Sequence, residues 1–424
     1  MRLTVGSNEL TALPMTQNEG PLSHVRVLDL SRIMAAPWAS QVLADMGAQV
    51  IKVERPGVGD DTRAWGPPYL KDAEGNDTSE AAYYLAVNRG KRSITVSLDQ
   101  PEGQRIVREL AQHSDIVLEN FKAGTLERYG LDHACLREIN PRLIYCSVTG
   151  FGQTGPRRSQ AAYDFLIQAM GGLMSVTGER DGRPGAGPQK VGVPIVDLMT
   201  GMYTAVAVLA ALARRTQTGL GDHIDIGMLD VQVAMLSNQA MNFLVSGNVP
   251  KRRGNAHPNI QPQDVFACAD ADVIIVVGND SQFVKLCGVL GQPEWALDAR
   301  FQRNSQRVIH IDALMLLLRG CLARWQRAAL IHALDEAGVP CGAINSVAEV
   351  FDDPQVRARG MLRQVPHPFG VDVPQLASPM RFGSHPPGRA SAPPTLGQHS
   401  EEVLAELGYS TSAIGALRAS GVIG

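Results

Sequence analysis

The sequence predicts an α/β fold, with a parallel, doubly wound sheet in its N-terminal portion and a smaller α+β domain after it. Three observations lead there. Short β-branched apolar runs alternate with helix-length runs from Val25 to Val148. The pattern then turns to long helices from Tyr163. A loop rich in Gly, Asn, Pro and Arg, from Gly247 to Pro262, sets off a second patterned stretch. With 424 residues, 44% of them hydrophobic and 19% charged, the chain exceeds what one compact core usually holds, so two domains are expected.

Val25-Arg-Val-Leu-Asp-Leu30 reads as a buried strand, Pro37 to Met46 as a helix opened by proline, and Gln49-Val-Ile-Lys-Val-Glu54 as a second strand. The alternation continues with strand Arg92 to Leu98, helix Pro101 to His113, strand Asp115 to Glu119, a helical stretch near Leu126, and strand Leu143 to Val148. Helices are then expected over Tyr163 to Gly178, Pro194 to Arg215 and Val231 to Val245, with Asp222 to Ile226 as a strand between the last two. Beyond the loop, Val265 to Asp280, Phe283 to Leu290, Ile311 to Leu322 and Gly338 to Asn345 form the smaller unit. The stretch from Pro366 to Pro394 is dense in Pro and Gly and suits an extended crossing.

The 39 basic and 42 acidic residues give a formal net charge of −3, too little for a field that draws a protein onto nucleic acid or anionic membrane. The six cysteines fall in no metal-binding or disulfide spacing and read as reduced thiols. The first twenty residues lack the pattern of a leader, so the cytoplasm is the expected compartment. Val193 to Leu212 is apolar enough to raise a membrane span. Asp197, Gly201 and several small residues interrupt it and favour a buried core helix.

Parallel sheets bind ligands beyond the carboxyl ends of their strands, so chemistry is sought there. Glu54 ends the second strand as a ribose-binding acid would. The first turn, Ser31 to Pro37, has none of the glycines that let backbone approach a pyrophosphate, which excludes a nicotinamide enzyme. Cations instead recur at strand ends: Arg55, the Asn88-Arg-Gly-Lys-Arg-Ser93 run, Asn120-Phe-Lys122 and Arg128. They suit a ligand with several phosphates and a flat base, although any one alone reads as a solvated surface charge. Asp197 stands at the start of a long apolar helix, where free N–H groups stabilise an anion. It reads as a helix cap or first-turn residue, or as a covalent nucleophile.

Several segments in order carry a resemblance: Val53-Glu-Arg-Pro-Gly-Val-Gly-Asp-Asp-Thr-Arg63 with Trp65-Gly-Pro-Pro68, Asn88 to Ser93, Tyr145-Cys-Ser-Val-Thr-Gly-Phe-Gly-Gln-Thr-Gly-Pro156, Pro194-Ile-Val-Asp-Leu198, and Arg253-Gly-Asn-Ala-His257. Together, from about Val25 to about Arg381, the chain resembles the class III CoA-transferases. The likeness is strongest to the dicarboxylate branch typified by succinyl-CoA:glutarate (hydroxymethylglutarate) CoA-transferase. The resemblance implies a Rossmann-like large domain over 22–225, a linker helix over 226–250, a small domain over 251–350 and a return segment over 351–424. It also implies an interlocked homodimer. Coenzyme A and acyl-CoA are then substrates, with no permanently bound cofactor, and a small carboxylic acid is the second substrate.

By the same matching Asp197 is the nucleophile, passing through a mixed anhydride to an aspartyl-CoA thioester. Ile33, Met34, Ala35, Arg55, Asn88, Lys91, Asn120, Phe121, Lys122 and Arg128 fall on CoA-binding positions. Asp164 is a candidate assisting group, and the stretch around Gly254 a candidate source of oxyanion donors. A glutamine in the oxalate enzymes is replaced by Met34, and a CoA-binding lysine of formyl-CoA transferase by Ala161. Arg63, Arg252, Arg253 and His257 are candidate contacts for the acid, since guanidinium takes carboxylate with two prongs. Two rivals remain. The α-methylacyl-CoA racemases are similar throughout, but they carry a Gly-His-Asp sequence where this chain has Ala162-Tyr163-Asp164, and tyrosine titrates too high to replace histidine easily. A non-catalytic acyl-CoA-binding protein would leave Asp197 unmodified by substrate.

Overall fold

The computed structural model describes residues 20–383 and 391–424. The leader expectation, drawn from the start of the chain, and positions 384–390 of the proline-rich stretch lie outside the described residues. The chain divides into two compact units. The first comprises Met1–Gly171, Gly192–Leu236 and Arg357–Gly424, and the second Gly172–Val191 and Ser237–Val356.

Six strands build the main sheet of the first unit: β1 (Arg26–Asp29), β2 (Gln49–Glu54), β3 (Lys91–Thr95), β4 (Ile116–Glu119), β5 (Ile144–Thr149) and β6 (His223–Gly227). All neighbours are parallel, in the order β3-β2-β1-β4-β5-β6, which reverses between β1 and β4. Buried apolar residues such as Val27, Leu28, Ile116, Val117 and Ile144 serve both faces of the sheet because helices cover each. The helices of this unit include α1 (Ala35–Asp45), α2 (Pro101–Gln112), α3 (His133–Ile139), α4 (Asp164–Met170), α5 (Ile195–Thr218) and α6 (Met228–Met235). One core layer packs α1 and α5 onto Val27, Val50, Leu118 and Cys146. The other packs α2, α3 and the helices Ser400–Glu406 and Thr411–Ala419 onto Leu28, Ile94, Val117 and Tyr145. The end of the chain is thus built into the core of its first half. Helices α1 and α5 touch at Gly201, where a Cβ would lie 2.5 Å from the carbonyl oxygen of Ala35.

In the second unit, β7 (Gln263–Ala267), β8 (Asp272–Val276) and β9 (Cys341–Ala343) form an antiparallel sheet with β8 central. Phe266, Val273 and Ile275 on its inner face meet Phe283, Leu286, Leu314, Leu318, Leu330 and Leu334 from the helices.

Two expected helices are broken. The pattern from Tyr163 stops at Met170, and Gly171 lies against Gln232, where a Cβ would be 2.2 Å from that side chain. The next residue, Gly172, takes φ 85°. The pattern from Val231 breaks at Ser237, with φ 44°, and the boundary between the units falls there. Helix α5 is the one described helix long and apolar enough to cross a membrane. Only 33% of its apolar window is buried within the chain, so the expectation of a wholly buried core helix does not hold.

A group of buried charges lies at the carboxyl ends of β1 and β2 and includes Lys91, which opens β3. Lys91 Nζ donates to Asp29 at 3.1 Å and to Asn88 Oδ1 at 2.9 Å. Lys52 Nζ pairs with Asp60 at 2.8 Å and donates to the Ser31 carbonyl. Arg63 forks onto Glu54 at 2.8 Å, reaches both Glu80 oxygens at 2.7 Å, and stacks 3.7 Å from the Tyr84 ring centre. Isolated ions would be costly here, and each is instead paired.

The cations Lys52, Arg63 and Lys91 face four carboxylates, so one acid lacks full compensation. Burial, then the nearby Glu54 charge, push Glu80 up to about 7 against the pull of Arg63. An acid with a folded pKa above its unfolded value keeps its proton while the unfolded chain loses it, so folding weakens as pH rises from about 4.5 to about 7. Urea unfolding of wild type and Glu80→Gln should therefore give a stability difference that moves against wild type across that window. A difference that is flat with pH would show that Glu80 is ionised throughout.

Candidate active site

The turn from β1 into α1 carries the site. Arg32 N–H donates to Asn120 Oδ1 at 2.9 Å, and Asn120 Nδ2 returns a bond to the Arg32 carbonyl at 2.6 Å. Ile33 N–H lies 3.2 Å from both oxygens of Asp60, and Ile33 takes φ 72°, a strained value for a β-branched residue. The turn is held from β4 on one side and by the buried charges on the other.

Two cavities open where this turn meets the strand ends. One, of about 390 Å³, lies over the ends of β1, β2 and β3. Its walls include Arg55, Pro56, Val96, Leu98, Phe121 and Tyr129. The other, of about 190 Å³, is walled by residues 32–35, 120–122, 148–150 and 158–163 in part, with Asp197 and Met228. Arg32 and Phe121 line both, and the Arg32 guanidinium sits 5.5 Å from the Phe121 ring centre.

Asp197 is the single carboxylate among the described residues that line the smaller cavity, and it is 9% exposed. It stands third in α5, in the first turn as the plainer reading allowed and not at the cap itself. Asp164 fills the capping role. Its Oδ2 accepts from Val196 N–H at 2.8 Å and from Asp197 N–H at 3.3 Å, while Oδ1 accepts from Gln168 at 2.6 Å. The expected stabilisation of Asp197 by helix N–H groups is thereby reversed, because those groups serve Asp164. Burial, and secondly the Asp164 charge, push Asp197 up to about 7.

Of the residues expected to bind CoA, Arg55 and Phe121 line the larger cavity, and Ile33, Met34, Ala35, Asn120, Phe121 and Lys122 line the smaller. Arg128 is exposed on the turn Leu126–Tyr129, next to the wall residue Tyr129. Asn88 and Lys91 line neither of these cavities. Both are buried, and Lys91 is wholly occupied by Asp29, Asn88 and the Pro37 carbonyl. Arg63 is likewise enclosed by Glu54, Glu80 and Tyr84 and cannot meet a substrate carboxylate.

Gly254, Arg252, Arg253 and His257 belong to the second unit. Gly254 N–H donates to the Gly178 carbonyl at 3.1 Å, which takes it away from any oxyanion. Arg252 is paired with Asp181. His257 Nδ1 accepts from the N–H groups of Asn259 and Ile260, and so closes its own loop. Arg253 and Gly254 line a third cavity, of about 550 Å³, with Arg180, Arg183 and Arg319.

Sequence reasoning missed Tyr83, Arg158 and Glu119. The Tyr83 phenol is pushed up by burial and by the charges of Asp197 and Asp164. Glu119, 5% exposed, accepts from Phe121 N–H at 2.8 Å and bonds Ser147, whose hydroxyl lies 3.1 Å from His223. Burial pushes Glu119 up to about 7. A glutamate closing a strand gives no sequence signal that it ties down the turn after it. In Glu119→Ala, amide exchange at Phe121 should speed by about tenfold or more, whereas Glu119→Gln, which keeps an acceptor, should stay near wild type. Equal protection in all three would release Glu119 from that role.

The chain matches the family model for CoA-transferase family III over residues 22–400. It is 48% identical over 393 residues to a succinate–glutarate CoA-transferase of Agrobacterium fabrum, spanning 93% of this chain and 97% of that protein. It is 41% identical over 404 residues to a succinyl-CoA:glutarate CoA-transferase of Mus musculus, spanning 95% and 90%. A solved CAIB/BAIF family protein from Brucella suis superposes with a TM-score of 0.80 at 48% identity, over 92% of this chain and all of that one. The family model and these relatives span the frame and the Asp197 cavity alike, so this chain belongs to CoA-transferase family III.

Proposed function

We propose that the protein transfers CoA from an acyl-CoA donor, succinyl-CoA in the first instance, to a small dicarboxylic acid through a covalent aspartyl-CoA thioester on Asp197. The observation that carries this reading is the position of Asp197: a lone carboxylate in a small cavity that adjoins a larger one through Arg32 and Phe121. The larger cavity suits the nucleotide end of CoA, with Arg55 for phosphate and Phe121 for stacking. The smaller suits the thioester end. The relatives named above act on succinate and glutarate, which supports the choice of acids.

In the proposed reaction an Asp197 oxygen attacks the donor carbonyl, and the C–S bond breaks to release CoA thiolate and leave a mixed anhydride. The thiolate attacks the Asp197 carbonyl of that anhydride, expelling the donor acid as its carboxylate. The acceptor carboxylate then attacks the aspartyl thioester and frees the thiolate, which finally takes the acceptor acyl group and restores the Asp197 carboxylate. Each bond broken is matched by one of similar energy, so neither phosphate transfer nor an external oxidant enters. A racemase would need a second proton-transfer group beside the substrate. Tyr163 is the titratable neighbour in the segment before Asp164, and among the described residues no histidine lines the cavity.

The order β3-β2-β1-β4-β5-β6, with its reversal beside the Arg32 turn, supports a Rossmann-like description of the larger unit. Exposed apolar side chains support the interlocked homodimer. Met202, Tyr203 and Val206 stand out on α5, and Met241, Phe243, Leu244 and Val245 on the helix Ser237–Ser246.

Asp197→Asn should lower CoA transfer between succinyl-CoA and glutarate by about a thousandfold or more, and abolish labelling of this residue by hydroxylamine after acyl-CoA is added. Native turnover in that variant would end the proposal. Since the nucleophile must be ionised, kcat/KM for succinyl-CoA should climb with pH up to about 7. Asp164→Asn removes the like charge and should carry that limb to lower pH. A limb that stays put would detach Asp164 from the titration of Asp197.

A further inference from the structure

The smaller cavity has three cations on its wall, Arg32, Lys122 and Arg158. Arg32 is already paired with Asp61 at 3.1 Å and lies over Phe121. Lys122 follows Phe121 in the turn that also borders the larger cavity. Arg158 differs from Arg32: its backbone N–H donates to the Gly155 carbonyl, but among the described residues its guanidinium has neither a carboxylate partner nor a hydrogen bond. It stands exposed, six residues before Asp164, in the segment that runs into α4.

The charge balance of the cavity requires such a group. Asp197 and Asp164 already bring two carboxyl groups to one end of α5, and their mutual repulsion contributes to the raised pKa of Asp197. A monocarboxylate acceptor adds one reacting carboxylate. A dicarboxylate adds a second, non-reacting one, which without a counter-charge would be repelled from the cavity. Arg63, chosen for this purpose from sequence, is closed off by Glu54 and Glu80. A cavity of about 190 Å³ is too small for whole CoA but adequate for a short acyl arm.

We infer that Arg158 is a specificity-determining residue that binds the non-reacting carboxylate of a dicarboxylic substrate while Asp197 handles the other end. The inference rests on the transferase reading above. The planar fork of Arg158 meets both oxygens of that carboxylate, a geometry that a methyl group cannot use.

The test compares glutarate with pentanoate, an acid of the same length lacking the second carboxylate, at a fixed succinyl-CoA donor. In a two-stage transfer, kcat/KM for the acceptor reports only the stage that follows the aspartyl thioester. Arg158→Ala should cut kcat/KM for glutarate by about tenfold or more and leave pentanoate within about twofold, and Arg158→Lys should recover part of the loss. Lys122→Ala should raise the KM for succinyl-CoA and leave the glutarate-to-pentanoate ratio alone. An unchanged ratio in Arg158→Ala overturns the inference. So does an equal loss on both acids, which would place Arg158 on CoA itself, and so does a ratio that collapses in Lys122→Ala instead. A wild-type enzyme that transfers CoA to neither acid overturns the transferase reading first, and the inference falls with it.

Discussion

The pairing of Lys52 with Asp60, at 2.8 Å and fully buried, is the contact on which the geometry of the site depends. Burial alone would drive Asp60 toward its neutral form, yet the Lys52 charge and the bonds from Thr62 hold it well below the usual carboxylate range. An ionised Asp60 can accept from Ile33 N–H, and that bond helps keep Ile33 in a left-handed backbone that its branched side chain disfavours. The turn so fixed presents Arg32 to both cavities. Arg63, Glu54 and Glu80 continue the group, and Arg63 reaches the Pro394 carbonyl, which fastens the returning end of the chain to the same spot. Buried ion pairs contribute little net stability over apolar packing of equal volume, and their effect here is to fix position. The strand ends could be packed with leucine and still fold, but the turn above them would lose its anchors.

This arrangement separates what could be read along the chain from what could not. The sheet was legible because its strands carry buried apolar residues on both faces, even though β1, β2 and β3 also hold Asp29, Lys52, Glu54 and Lys91. Leu28, Val50, Ile94, Val117 and Cys146 announce their strands without reference to anything distant. Arg55 and Phe121 were legible as cavity-wall residues because they closely follow strands, where the crevice lies. Lys91 defeated the same logic, and Arg63, chosen as a guanidinium for the acid, lies in the turn Asp61–Ala64 that follows β2. A cation at a strand end faces either the crevice or the core, and residue type does not say which. The deciding partners, Asp29 for Lys91 and Glu80 for Arg63, lie 62 and 17 residues away. The helix breaks were hidden for another reason. Apolar periodicity runs on through Gly171 and Ser237, although the Gly171-Gly172 pair, with Gly172 at φ 85°, is a local stop that the periodic reading passed over.

The least legible feature is also the one with the most chemical effect. Asp164 and Asp197 are 33 residues apart, and nothing local reveals that the first caps the helix bearing the second. The cap reverses the electrostatics expected of a helix start, since the N–H groups that would have steadied the Asp197 anion are occupied by another anion. In the proposed reaction this has a direction. Asp197, at about 7, is a stronger base than an ordinary free carboxylate, at about 4. When thiolate meets the mixed anhydride, attack at the Asp197 carbonyl expels the weaker base, the substrate acid, and so leads on to the aspartyl thioester. The thioester is neutral, so its formation also removes the like-charge repulsion at the end of α5 and the cost of burying an anion there. Each pKa unit of that relief is worth about 1.4 kcal/mol. In that proposed reaction, burial and Asp164 favour the covalent intermediate over the free carboxylate.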